Sequence, residues 1–185
     1  IPHLGQAITA FAETHVGLVV GANLRQDHPL LALRLRQAVK KHADIFVLSD
    51  ERSDLLMRAT QKALAANAWL NELLAIESAL AGAANAAADS SDFAGQVAKY
   101  LSNPQAKNKV IVLGNAAMNH PDAAKILVVA NRIAQAVGAV VSVATEGANT
   151  VGAYAVGAVA GKDSLTAQQM LAASSTRAAY VTLNV

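Results

Sequence analysis

The sequence predicts an α/β fold built on a mostly parallel sheet, and three observations carry that prediction. Two short apolar runs, Val16–Val20 and Lys109–Leu113, each end in a glycine, Gly21 and Gly114. Each glycine leads through a short loop to a His-Pro pair, His28-Pro29 or His120-Pro121, and then to apolar residues at helical spacing. Each helical stretch is followed by a second apolar run, residues 45–48 and 139–144. A strand–helix–strand unit pairs its strands in parallel through a right-handed crossover. The runs are continuously apolar instead of alternating, so both faces of the sheet should be covered, giving three layers. Two such units in one chain read as an internal repeat.

The elements follow in order. Val16–Val20 reads as a buried strand ended by Gly21. Pro29 suits the first turn of a helix, and Leu31, Leu35, Ala38 and Val39 form one apolar stripe along it. Arg34, Gln37, Lys40 and Lys41 fall mostly on the wet side. Asp44 precedes the strand at 45–48. Residues 55–101 are rich in alanine, and Leu70, Leu73, Leu74 and Leu80 predict helices broken near Gly82 and at Ser90-Ser91, with Asp92 capping the next. Trp69 is expected to be a core or interface anchor. Pro104 and Asn108 mark a loop before the second unit. There the strand Lys109–Leu113 leads to a helix running to about Val137, stopped by Gly138. The glycine-rich stretch EGANTVGAYAVGAVAG, 146–161, is expected to be an ordered loop with one short helix. A capped helix over 164–173, with Leu165 and Leu171 inward, and a final strand over 178–185 complete the reading. Three segments result: 1–54, a first β-α-β unit belonging to a larger domain; 55–108, a helical connection; and 109–185, the second unit with its glycine-rich loop.

Composition excludes several functions. Of 185 residues, 54% are hydrophobic, enough for a core, but only 4% are aromatic, which argues against a stacking platform for single-stranded nucleic acid. The net charge is only +2 and the basic residues are scattered apart from Arg34, Arg36, Lys40 and Lys41, so nucleic acid is not an expected partner. There is no cysteine, which excludes disulfides, thiolate zinc sites, iron–sulfur clusters held by this segment and a catalytic thiol. The charge-poor run at 133–145 is too short to span a bilayer and is interrupted by Gln135 and Ser142. Both ends look cut, as in a piece of a longer protein.

The candidate chemistry centres on VVGANLRQDHP. A glycine at a strand end lets a ligand approach the backbone, and a helix start beyond it offers free N–H groups to a phosphate. Asn23 could then donate to a phosphate or ribose, and Asp50, just past the next strand, could meet a ribose or a base edge. The alternative is that the β-α-β turn needs a glycine regardless, since no G-x-G-x-x-G is present. His28 and His120 have no catalytic partner in the sequence and are expected to cap helices. His3, His15 and His42 lack metal-ligand spacing and read as surface residues. GAVAGKD, 157–163, is one residue short of a phosphate loop and lacks its Ser or Thr. Ser174, Ser175 and Thr176 have no nucleophile-elbow context. The carboxylate pairs Asp50/Glu51 and Asp89/Asp92 read as solvated loop acids.

VVGANLRQDHPLLALRLRQAVKKHADIFVLSDER resembles the G-x-N-(P)-x-x-x-H-P segment of the molybdopterin oxidoreductase family, and VIVLGNAAMNHPDAAKILVVANRIAQAVGA resembles that family's second α/β domain. EGANTVGAYAVGAVAG and the terminal AAYVTLNV are similar to the large iron–sulfur subunits of bacterial NADH:quinone oxidoreductases (respiratory complex I). The resemblance implies Rossmann-like three-layer units and a non-catalytic structural body supporting electron transfer from NADH to quinone. It also implies iron–sulfur clusters in a part N-terminal to this chain and none within it. The implied partners are the other peripheral-arm subunits, and the implied location is the cytoplasmic side of the bacterial inner membrane, peripheral, without insertion. Molybdenum enzymes of the family place molybdopterin guanine dinucleotide against positions matching Gly21, Asn23 and Asp50. Here Leu24 stands where the family's proline follows the asparagine, and Glu51 follows Asp50 in place of proline. A dinucleotide-binding part of an oxidoreductase and a free-standing nucleotide-binding module are the alternative functions.

Overall fold

The computed structural model describes residues 2–83, 92–147, 149–159 and 164–172. They divide into two units, 2–148 and 149–185. In the first, the strands β1 (Val16–Val20), β2 (Asp44–Ser49), β3 (Thr60–Ala63), β4 (Lys109–Leu113) and β5 (Val140–Val143) form one sheet in the order β3-β2-β1-β4-β5. Every pairing is parallel. The α/β class and parallel sheet expected from the sequence are therefore present, and both β-α-β units share this single sheet.

The repeat is deeper than the sequence reading. Each glycine is followed by one extra helical turn, α1 (Leu24–Asp27) or α5 (Asn115–Met118), before the long helix begins. The long helices are α2 (Pro29–Lys40) and α6 (Ala123–Val137). Gly138 ends α6 with φ +69, a left-handed cap that glycine adopts at little cost. Between the copies lie α3 (Trp69–Ala83) and α4 (Phe93–Leu101), and the Asp92 carboxylate accepts from the Gly95 amide at 3.1 Å. The capping role expected of Asp92 is present.

The connection is not wholly helical, however. β3 extends the sheet within it, and Leu64 N–H continues the ladder to Ser49 O. Its residues, Thr-Gln-Lys-Ala, carry no apolar periodicity because an edge strand is half wet, so tertiary pairing decides its conformation.

The strands are apolar on both sides because both sides are covered. Leu18, Val20, Phe46, Leu48, Ile111 and Leu113 point into a core closed by α3, α4 and α6 through Trp69, Leu73, Ile76, Val97, Ile126 and Ile133. Val19, Ile45, Val47, Val110 and Val112 point the other way, onto Leu31, Leu35 and Ala38 of α2 together with Phe11 and Leu24. The N-terminal segment guards the far sheet edge, where Val143 N–H donates to His3 O at 2.9 Å and the Ser142 hydroxyl to Leu4 O at 2.6 Å. At the start of α6 the Lys125 ammonium, 2.7 Å away, holds the Asp122 carboxyl below the usual carboxylate range, chiefly through its hydrogen bond and charge.

The second unit contains α7 (Thr150–Ala155) and α8 (Ala167–Leu171). The short helix expected in the glycine-rich stretch is α7. α8 is shorter than expected: Thr166, not Ser164, caps it, in a reciprocal box with Gln169. Leu171 is 76% exposed, so only Leu165 of the expected inward pair is half-buried. The expected strand at 178–185, together with Asp89, Ser174, Ser175, Thr176 and residues 160–163, lies outside the described residues.

Candidate functional site

The sheet changes direction at β1. The chain winds from β1 through β2 to β3 on one side, then returns to add β4 and β5 on the other. In open parallel sheets such a reversal leaves a crevice beyond the strand C-termini. Here it measures about 250 Å³ and is lined by Gly21, Asn23 and Asp50, which the fold brings together. The sequence reading missed Asp27, Ser49, Ser53 and Asn115 and treated Glu51 only as a loop acid; all five share the lining. One signal for Asn115 was available, since it follows Gly114 in the second copy much as Asn23 follows Gly21 in the first.

Gly21 has φ +58, and a Cβ there would lie 2.6 Å from the Ala117 amide nitrogen and 2.7 Å from the Trp69 ring. A Cβ on Gly114 would likewise meet the Cβ of Ala22 and the Gly21 carbonyl. The two glycines thus let the two β-α turns pass each other. Trp69 is 1% exposed and donates its indole N–H to Leu64 O at 3.0 Å, the core anchor expected of it.

Two N–H groups in the first turn of α5 are bonded: Ala116 and Ala117 donate to Gly21 O at 3.0 and 3.4 Å. At the start of α1, Gln26 and Asp27 donate to Asn23 O at 3.2 and 2.9 Å, and the Asn23 side-chain oxygen also faces the Gln26 amide, at 3.4 Å. The charged residues on the wall are the carboxylates of Asp27, Asp50 and Glu51, with no lysine or arginine among them. Like charges in a shared recess repel an anion. The loop carrying these acids is tied down: Gln61 exchanges two hydrogen bonds with the Ser53 backbone, at 3.0 and 2.9 Å, and Arg25 reaches Asp54 at 3.2 Å.

The histidines divide. His28 stands at the N-cap of α2 but makes no side-chain cap bond, and its Nε2 is buried without a partner. This corrects the capping role expected of it; α1 runs into α2 here, so the His28 amide already bonds back to Leu24 O. His120 Nδ1 accepts from Asp122 N–H at 3.0 Å, in the turn just before α6 and not from an amide of the helix itself, and packs against Trp69 with ring centroids 6.1 Å apart. His3, His15 and His42 are exposed, as expected. Among the described residues no three His, Asp or Glu side chains converge as metal ligands.

Fold and crevice define a doubly wound α/β domain with its crevice where the strand order reverses. The sequence matches the model of the molybdopterin oxidoreductase family over residues 2–184, and the chain belongs to that family. Its relationship is to oxidoreductases. No curated protein sequence matches. Among solved structures, a chain of the formyltransferase/hydrolase complex (FhcABCD) from Methylorubrum extorquens, in complex with methylofuran, has a similar fold: TM-score 0.58 at 14% identity over 84% of this chain. At that identity the likeness shows the fold alone. This chain spans 44% of that solved chain.

Proposed function

We propose that this chain is a non-catalytic structural body of the large iron–sulfur subunit of bacterial NADH:quinone oxidoreductase. In this reading it holds cluster-bearing parts and neighbouring peripheral-arm subunits in register, so that electron-transfer distances from NADH to quinone stay fixed. As part of the peripheral arm, this body would lie on the cytoplasmic side of the inner membrane without inserting; among the described residues no helix is long and apolar enough to cross a membrane. The resemblance of EGANTVGAYAVGAVAG to the large iron–sulfur subunits supports the assignment to this complex.

One observation carries the non-catalytic part. The charged wall of the crevice that would take the guanine dinucleotide is made of the carboxylates of Asp27, Asp50 and Glu51, with no lysine or arginine in the lining. That wall does not fit a diphosphate, whose charge calls for cations. What this chain's residues do there is structural: Gly21 and Gly114 admit close packing of the turns, and Asn23 caps α1.

The test is elemental and pterin analysis of the full-length protein purified from its native host, together with its co-purifying subunits. Iron in cluster stoichiometry, no molybdenum, tungsten or pterin, and co-purification with an NADH-oxidising partner are expected. Stoichiometric molybdenum and pterin would overturn the reading and favour a dinucleotide-binding part of an active oxidoreductase.

A further inference from the structure

The outer face of α2 has a composition that its buried face does not explain. Leu31, Leu35 and Ala38 bury one stripe of this helix against the sheet. On the opposite side Leu30 is 66% exposed and Leu33 47%. Leu30, Leu33, Gln37 and Lys40 fall at i, i+3, i+7 and i+10, the spacing that faces a partner helix in a coiled-coil seam. Arg34, Arg36 and Lys41 flank that seam at the positions where interhelical charge pairs form. Arg34 bonds Gln37 at 3.0 Å and Lys41 pairs with Glu13 at 2.6 Å. Arg36 and Lys40 are exposed and make no ion pair or hydrogen bond among the described residues. Six other Lys and Arg side chains among the described residues, Lys41 included, pair with carboxylates. Arg52, Lys99 and Lys107 are exposed and unpaired like Arg36 and Lys40, but only Arg36 and Lys40 share a helix face with exposed leucines.

We propose that the outer face of α2 docks an acidic amphipathic helix of a neighbouring protein, with Leu30 and Leu33 as apolar anchors and Arg36 and Lys40 meeting its carboxylates. Charge complementarity favours this occupant: two uncompensated cations beside two exposed leucines on one face match an apolar ridge flanked by acids. A membrane surface fits less well. The patch carries no aromatic residue, and the opposite side of α2 is locked into the core, so the helix cannot roll to bury a wide apolar face. The inference rests on the chain being part of a multi-subunit body.

The test places a photoreactive benzoylphenylalanine at position 33 of the full-length protein, in the assembly purified from its native host. Irradiation is expected to yield one adduct to another subunit, at a peptide with helical apolar spacing and a surplus of Asp and Glu. The double reversal Arg36→Glu, Lys40→Glu should cut that adduct by at least about ten-fold. Both side chains are exposed, so the variant should fold, and an unchanged circular dichroism melt checks this. An adduct to a second copy, to lipid or within the same chain would overturn the proposal, as would an adduct whose yield ignores the reversal. No adduct, while the unaltered protein still co-purifies with other subunits, overturns the docking site and leaves the scaffold reading standing. Failure of the unaltered protein to co-purify with any subunit removes both.

Discussion

Gly21 is the residue on which the crevice turns. Its φ of +58 suits glycine, and the Ala117 amide and Trp69 ring fill the space where a side chain would stand. Gly21→Ala should therefore destabilise the protein by about 3 kcal/mol or more, combining left-handed backbone strain with overpacking. Urea denaturation of the variant checks this; a loss no larger than that of an ordinary surface substitution would show the turn to be pliable. Asn23 acts more locally. Asn23→Ala should remove about 1 kcal/mol through loss of the α1 cap, and the same denaturation series compares the two. The glycine and asparagine were legible as special residues in the sequence. The task of Gly21 was not, because the atoms that define it, the Ala117 amide and the Trp69 ring, arrive from far along the chain. Asn115 shows the same limit: its buried, unpaired Oδ1 is a consequence of where β4 delivers it.

Among the elements, legibility tracked burial. The four strands buried on one or both faces announce themselves as apolar runs, and α2 and α6 by their stripes and His-Pro starts. β3 was invisible, since Thr60, Gln61 and Lys62 carry no pattern and the strand exists because β2 offers it a hydrogen-bonding edge. It is then stitched to the crevice loop by Gln61. Gln61→Ala removes both bonds to the Ser53 backbone, in a half-buried setting, and should cost about 1–2 kcal/mol. Amide hydrogen exchange should quicken at Ser53 and in the loop at 50–56 while the β1 and β4 amides remain slow. Uniform quickening would mean that the loop is not held by this side chain. α8 shows the opposite error. Its sequence suggested an inward Leu171, but with so short a helix the periodicity is too weak to define a face, and that residue is exposed.

Across the fold, the consequential feature is the reversal of strand order at β1. It places α2 on one face and α3, α4 and α6 on the other, closes two cores on one sheet, and opens the crevice between the two copies of the repeat. Both cores lie within residues 2–148. A chain ending at residue 148 should therefore retain a single cooperative thermal transition, with near-ultraviolet circular dichroism from Trp69 intact. A broad, non-cooperative melt would show that the later residues are needed to complete the fold.

The α/β class, the repeated strand–glycine–helix–strand plan, the absence of thiol chemistry and the family resemblance are all inscribed in the chain as a string of residues. Each rests on local periodicity, on the special conformations of glycine and proline, or on composition. Three further outcomes emerge only on folding: both copies join one sheet, β3 extends it, and Asp27, Asp50 and Glu51 come together on one crevice wall. Those outcomes depend on which backbone groups meet across long sequence separations, and a hydrogen-bond partner supplied by a distant strand leaves no mark on the residues around it.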